Sequence, residues 1–292
     1  MRLGAIFPQT EIGSDPTAVR DYAQAVEEMG YQHILAYDHV LGANTASRPG
    51  WSGPYTSETP FHEIFVLFGY LAAITQRVEL VTGVVILPQR QTALVAKQAA
   101  AVDVLSGGRL RLGAGVGWNE VEFQALNEDF HNRGARIEEQ IALLRALWGE
   151  TAITFHGRWH TVEDAGVNPL PVRRPIPIWI GGSADATLRR VARIGDGWFP
   201  QMSPNDHARA MMSQLREYIR EAGRPESAVG IEARLTLSRT PEVDWRQYAA
   251  DWQALGATHL GVNTMGTGYQ SLDQHLDALR RVYTALAPLA GR

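Results

Sequence analysis

The chain contains no cysteine among its 292 residues, which excludes disulfide bonds and thiol chemistry and fits a reducing compartment. It also lacks any uncharged apolar run long enough to cross a bilayer, so no membrane association is expected. No cluster of lysine and arginine is present and the net charge is −4, which argues against a nucleic-acid partner. The opening stretch, MRLGAIFPQT, reads directly as a strand and lacks the charged, apolar and small-residue layout of a secretory signal, so a cytoplasmic location is expected. The dinucleotide fingerprint is missing as well. That motif requires G-x-G-x-x-G, whereas here Gly113, Gly115 and Gly117 alternate and Trp118 follows.

What is present is a regular alternation of short apolar runs and amphipathic stretches. Strands are expected at Arg2 to Phe7, His33 to Asp38, Val78 to Ile86, Leu110 to Gly115, Ile178 to Ile180, Gly197 to Pro200, Val229 to Leu237 and His259 to Asn263, each followed by a helix pattern. One interruption stands out: a hairpin pattern from Ile153 to Val162 turning at Gly157, then a stretch holding Pro169, Pro171, Pro175 and Pro177 that suits neither helix nor central strand. Eight strand-helix units call for a parallel sheet covered on both faces, and eight fit a closed (β/α)8 TIM barrel of the α/β class better than a doubly wound open sheet. The expectation is one domain over residues 1–292, with an insertion at about 150–176 between the fourth and fifth units.

A barrel turns position into function, because loops after strands carry chemistry and loops after helices carry stability. The rule selects Asp38-His39, Thr82-Gly83-Val84, Gly113 to Asn119, Gly181-Gly182-Ser183, Trp198 to Gln201, and Asn263 to Met265. It places Gly107-Gly108-Arg109 at the opposite end, as a helix C-cap rather than a phosphate cradle. The alternating glycines after Leu112 leave a strand end bare enough for a flat ligand to lie against the backbone. His39, following a strand and an aspartate, is the strongest acid/base candidate of nine histidines. Ser183 stands where a helix begins, either as a plain N-cap or beside a bound phosphate. Trp51, Tyr55, Trp118 and Trp198 are read as an aromatic-walled pocket, although packing roles are equally open to each. Arg133, Arg136, Glu138 and Glu139 read as a solvated helix face, and His156 and His160 lack the neighbours of a zinc site, so no metal is expected.

The segments YDHV at Tyr37 to Val40, TGVVILPQRQTALVAKQAAAVDVLSGGRLRLGAGVGW from Thr82 to Trp118, PIPIWIGG from Pro175 to Gly182 and GDGWFP from Gly195 to Pro200 carry a resemblance. In them the chain resembles the luciferase-like oxidoreductases, and more closely their branch that uses the deazaflavin coenzyme F420. The resemblance implies a homodimer that binds its ring at the strand C-termini. It puts a bulge with a non-prolyl cis peptide at Thr82-Gly83-Val84 behind the ring, Gly115, Val116 and Gly117 beside it, and Gly181, Gly182 and Ser183 on the phosphate. Asp38 and His39 become the catalytic pair: His39 contacts the ring edge and protonates substrate, and Asp38 either orients the imidazole or hydrogen-bonds the cofactor. Glu11 and Glu120 are the next proton donors to consider. One departure bears on substrate. Sugar-phosphate dehydrogenases of the branch carry an acidic residue where this chain has Trp118, with Glu120 and Glu122 only nearby, and Arg234 is the single basic residue of note near a strand end. The implied activity is hydride transfer between F420 and a small, largely apolar organic substrate. The alternatives are an FMN-dependent monooxygenase using molecular oxygen and a non-catalytic flavin carrier.

Overall fold

The apolar runs become strands because both of their faces find cover, side chains alternating between the barrel interior and the helix layer. In a computed structural model that describes residues 1–291, the chain runs β1 (Arg2–Ile6), α1 (Pro16–Glu28), β2 (His33–Ala36), α2 (Ile64–Ile74), β3 (Glu79–Thr82), β4 (Val85–Ile86), α3 (Thr92–Ser106), β5 (Leu110–Gly115), α4 (Glu120–Ala125) and α5 (Arg133–Gly149). A hairpin of β6 (Ile153–His156) and β7 (Thr161–Ala165) follows. Then come β8 (Ile178–Gly181), α6 (Asp185–Ile194), β9 (Gly197–Phe199), α7 (Asp206–Glu221), β10 (Gly230–Thr236), α8 (Trp245–Leu255), β11 (His259–Asn263) and α9 (Leu272–Leu286).

Eight of these strands form a closed parallel barrel in the order β1, β2, β3, β5, β8, β9, β10, β11, and back to β1. Closure on the β3 side pairs Leu80 with Leu110 and Val81 with Arg111, and β1 meets β11 from Arg2 opposite His259 to Ala5 opposite Val262. The third strand is not one continuous run from Val78 to Ile86: it breaks at Gly83, and β4 resumes beside β5 with Val85 opposite Ala114. The helices start where side chains satisfy their free amides. Asp15 accepts from the Thr17 amide at 2.9 Å, and Glu63 accepts from Phe65 and Val66 at 2.9 Å each. Helix α3 ends at Gly107, whose φ of 70° is the left-handed cap expected there, and Arg109 donates to the carbonyls of Ala72, Thr75, Val78 and Ser106, so this corner holds helices together. The β6-β7 hairpin is the interruption, and Glu139 of α5 ties it down by accepting the amides of Arg158, Trp159 and His160. Among the described residues no helix is long and apolar enough to cross a membrane.

Inside the barrel two layers differ in chemistry. Toward the C-terminal mouth lie Ile6, Leu35, Val81, Trp179 and Phe199. Below them, toward the N-terminal end, sits a buried charged layer: Arg111 reaches Glu79 at 2.9 Å and Glu232 at 2.7 Å, and His33 Nε2 lies 2.9 Å from Glu232. The Arg111 guanidinium stacks 4.2 Å from the Trp179 ring centre and joins the two layers. Burial alone would raise the Glu232 carboxyl, but His33 and Arg111 hold it far below the usual carboxylate range. This layer fills the barrel, so the space for a ligand lies above it, at the mouth.

Candidate active site

At the mouth the Gly83–Val84 peptide is cis, at the bulge between β3 and β4. Gly83 has no room for a side chain, since an added Cβ would sit 2.2 Å from Leu35. The bulge lifts Val84 out of the strand, and β5 and β8 leave space for it with glycine: a Cβ on Gly115 would come within 2.5 Å of Val84 Cγ2, and one on Gly181 within 3.1 Å of Cγ1. Val84, flanked by these two glycines, therefore makes a smooth apolar shelf at the barrel centre. Gly117 continues the loop at φ 75°, against Ile86, and Val116 packs on the main core. Thr82 does not contribute to the shelf. Its fully buried hydroxyl donates to the Gly113 carbonyl at 2.7 Å, so its part is to lock β3 to β5.

His39 sits on one side of the mouth, 8% exposed, with its ring among Tyr55, Phe61 and Trp118 at 5.4, 5.1 and 6.5 Å between centres. Its Nδ1 lies 3.2 Å from Glu122 Oε1, and its buried Nε2 has no partner among the described residues. A carboxylate against Nδ1 fixes that nitrogen as the donor and leaves the Nε2 lone pair as the free end of the ring. Glu122, in the first turn of α4, is the residue that sequence reasoning passed over. It also accepts the Val40 and Leu41 amides through Oε1 and the Gln89 side-chain amide through Oε2. Burial opposes its charge, yet the His39 contact and the Val40 amide outweigh burial and keep the carboxyl below its ordinary value.

Asp38 does not orient His39. Its carboxylate turns the other way, to Arg90 at 2.7 Å and the Ile86 amide at 3.4 Å, with Arg90 also bound to Glu63 at 2.9 Å. Consecutive strand-end residues point to opposite sides, which sends Asp38 under the bulge while His39 faces the mouth. Burial pushes the Asp38 carboxyl above its ordinary value, with Arg90 pulling against it. Asp38 is thus a brace for the Val84 bulge.

The aromatic wall holds three of its four expected members. Trp51 donates its indole N–H to the Tyr55 carbonyl at 3.2 Å and packs 5.8 Å from Trp118, which is 46% exposed at the pocket edge. Trp198 lies elsewhere. It is fully buried in the outer core, with its indole N–H donating to the Gly182 carbonyl at 2.7 Å, while the inward residue of β9 is Phe199. On the β8 side, Ser183 precedes α6 but does not cap it. The cap position is Ala184, which has no side-chain acceptor; the Thr187 amide donates to the Ala184 carbonyl at 2.8 Å, which leaves the Asp185 and Ala186 amides open beside the exposed Ser183 and half-buried Gly182. The charged start of α5 is not a solvated face either: Arg136 pairs with Glu128, Glu138 with Arg190 and Arg193, and Glu139 with His160 at 2.8 Å. Of the other proton-donor candidates, Glu11 accepts the Gly266 amide at 2.7 Å and Glu120 is exposed.

The fold and the furnishing of its mouth define a (β/α)8 barrel whose glycines, cis-peptide bulge and oriented histidine converge at the strand C-termini. The chain belongs to the luciferase-like monooxygenase family, whose model matches residues 2–288, and enzymes of this family are oxidoreductases. An uncharacterised protein of Mycobacterium tuberculosis is 34% identical over 224 residues, covering 75% of this chain and 77% of that one. An FMNH2-dependent dimethylsulfone monooxygenase of Pseudomonas putida is 27% identical, over 80% of this chain and 61% of its own. An F420-dependent glucose-6-phosphate dehydrogenase of Kineococcus radiotolerans is also 27% identical, over 77% of this chain and 66% of its own. Among solved structures, an F420-dependent secondary alcohol dehydrogenase in complex with an F420–acetone adduct shares the fold at a TM-score of 0.76, with 16% identity over 98% of each chain. Relatives thus include users of both cofactors.

Proposed function

We propose that this protein is an F420-dependent oxidoreductase that transfers a hydride between the deazaflavin and a small, largely apolar organic substrate. The observation that carries the reading is His39, oriented by Glu122 with a buried, unpartnered Nε2 on the same mouth as the Val84 shelf. The residues present suit a flat ring with an anionic tail: Val84, Gly115 and Gly181 offer a surface without polar obstruction, and Gly182, Ser183 and the open amides of α6 offer donors for a phosphate. When bound, the cofactor supplies or accepts the hydride. The chain's own residues do the rest. Tyr55, Phe61 and Trp118 exclude water around the imidazole, Glu122 holds its Nδ1, and Nε2 gives or takes the substrate proton that accompanies the hydride. His39 is the catalytic residue in this reading and Glu122 its positioning residue.

A second reading, an FMN-dependent monooxygenase using molecular oxygen, draws on the equal similarity to the P. putida enzyme. We also propose a cytoplasmic homodimer, supported by the exposed Val66, Tyr70, Leu94 and Leu105 on the packed pair α2 and α3. The test of the leading reading is His39→Ala, assayed with reduced F420 against a panel of activated enones and nitroaromatics. Turnover should fall about a hundredfold or more, the loss typical of a missing general acid, with cofactor affinity nearly unchanged. Near-normal turnover would reduce His39 to a wall of the pocket.

A further inference from the structure

At the mouth, a cavity of about 630 Å³ bounded by the ends of β1, β10 and β11 is of a size that suits a small organic molecule. Into it projects Arg234 of β10. Other buried or half-buried arginines are held by carboxylates, as Arg90 is by Asp38 and Glu63, Arg111 by Glu79 and Glu232 and Arg190 by Glu138, or by backbone carbonyls, as Arg109, Arg133 and Arg224 are. Arg234 has no carboxylate within ion-pair distance among the described residues, and its guanidinium rests 5.0 Å from the Tyr37 ring centre. Arg239, on the same wall, is likewise without a carboxylate. Glu11 is the one acidic lining residue, and it is turned to the Gly266 amide at 2.7 Å and toward His275 Nε2 at 3.4 Å. The hydroxyls of Ser203, Thr236 and Ser238 complete a donor-rich end.

A guanidinium that lies over an aromatic ring, faces a cavity and has no carboxylate partner is free to receive an anion there. The cavity adjoins the catalytic corner, since Tyr55 lines it and packs 5.4 Å from the His39 ring. We propose that Arg234, aided by Arg239, receives a carboxylate carried by the substrate, so that the substrate class is a small apolar or aromatic carboxylic acid lying along Tyr37 and Tyr55. Its anionic end is held by the planar fork of the guanidinium, which matches a carboxylate in two parallel hydrogen bonds. The opposite end then lies toward His39. This deepens the proposed function and rests on it for the reacting end, but the anion receptor itself does not need a cofactor.

The experiment is calorimetric titration of the protein at low salt, with and without F420, using cinnamate and its methyl ester as probes. The wild type should bind cinnamate at least about tenfold more tightly than the ester, as expected for a charge-assisted pair. Arg234→Gln should erase that preference without changing F420 affinity, and Arg234→Lys, which keeps the charge but not the fork, should retain part of it. Equal affinities for acid and ester in the wild type, or a preference that survives Arg234→Gln, would overturn the proposal. So would a variant that loses F420 affinity instead, because the guanidinium would then serve the cofactor. If F420 fails to bind while the acid preference holds, the anion receptor stands and the hydride-transfer reading falls.

Discussion

Replacing Glu122 with glutamine removes the charge beside His39 while keeping the side chain's shape. In the wild type, Oε1 accepts the Val40 amide at 2.5 Å and the Leu41 amide at 3.2 Å and lies 3.2 Å from His39 Nδ1, and Oε2 accepts from Gln89 Nε2 at 3.0 Å. The new amide would meet Gln89 donor to donor, but Gln89 Oε1 is buried without a partner, so a turn of the Gln89 amide restores the pair. The fold therefore loses little, and what changes is the strength of the hold on Nδ1. Charge-assisted hydrogen bonds are roughly twice as strong as neutral ones, a difference of about 1 to 1.5 kcal/mol. If that difference is felt in the transition state, it lowers turnover about tenfold. Glu122→Gln should thus reduce kcat about tenfold and leave cofactor Kd within about twofold, with Tm lowered by only about 2 to 4 °C. Single-turnover oxidation of reduced F420 and a thermal melt measure all three. A variant with lowered Tm and unchanged kcat would show that Glu122 only caps the Val40 and Leu41 amides.

Two further predictions concern the phosphate corner and the charged layer. Ser183→Asp sets a negative charge at the open amides of α6, and cofactor affinity should fall by more than the roughly 1 kcal/mol of a lost hydrogen bond, with Tm unchanged; equal affinity would place the phosphate elsewhere. His259 is pushed down to about 3, chiefly by burial and then by Arg111 and His33, so the folded barrel resists a proton that the unfolded chain takes near its ordinary value. Its contribution to stability is fully present above about pH 6.5 and is lost as pH falls toward 3, which amounts to about 2 kcal/mol by pH 5. His275, pushed down to about 4 by burial, acts in the same direction. Urea midpoints at pH 7.5 and pH 5 should differ accordingly, and the gap should narrow in His259→Asn by the His259 share while the His275 share remains; identical wild-type midpoints would refute the assignment.

How far the sequence reveals this site depends on the range over which each residue acts. Local signals read well: β5 runs from Leu110 to Gly115 as its apolar pattern requires, and Gly107 takes the left-handed cap. Gly83 marked the bulge because a glycine interrupts an otherwise apolar strand. Asp38 misled because neighbours in sequence are taken as partners, whereas the pleat separates them and gives Asp38 to Arg90, 52 positions on. The true partner of His39 lies 83 positions away, on a short helix whose only trace is the acidic turn after Asn119. Trp198 was decidable in principle, since alternation in β9 puts Phe199 inward and Trp198 outward. The charged layer left a fainter mark: His33, Glu79, Arg111, Glu232 and His259 are single polar residues near the starts of apolar strands, and only the parallel register brings them to one level.

The central claim is cofactor identity, and parallel equilibrium titrations of the purified protein with F420 and FMN test it most directly. Eight tryptophans, Trp51 and Trp118 among them at the mouth, provide the fluorescence signal. F420 should bind with a Kd at least about tenfold below that of FMN, a difference of about 1.4 kcal/mol. Equal affinities, or tighter binding of FMN, would contradict it and turn the assignment to an oxygen-using flavin monooxygenase.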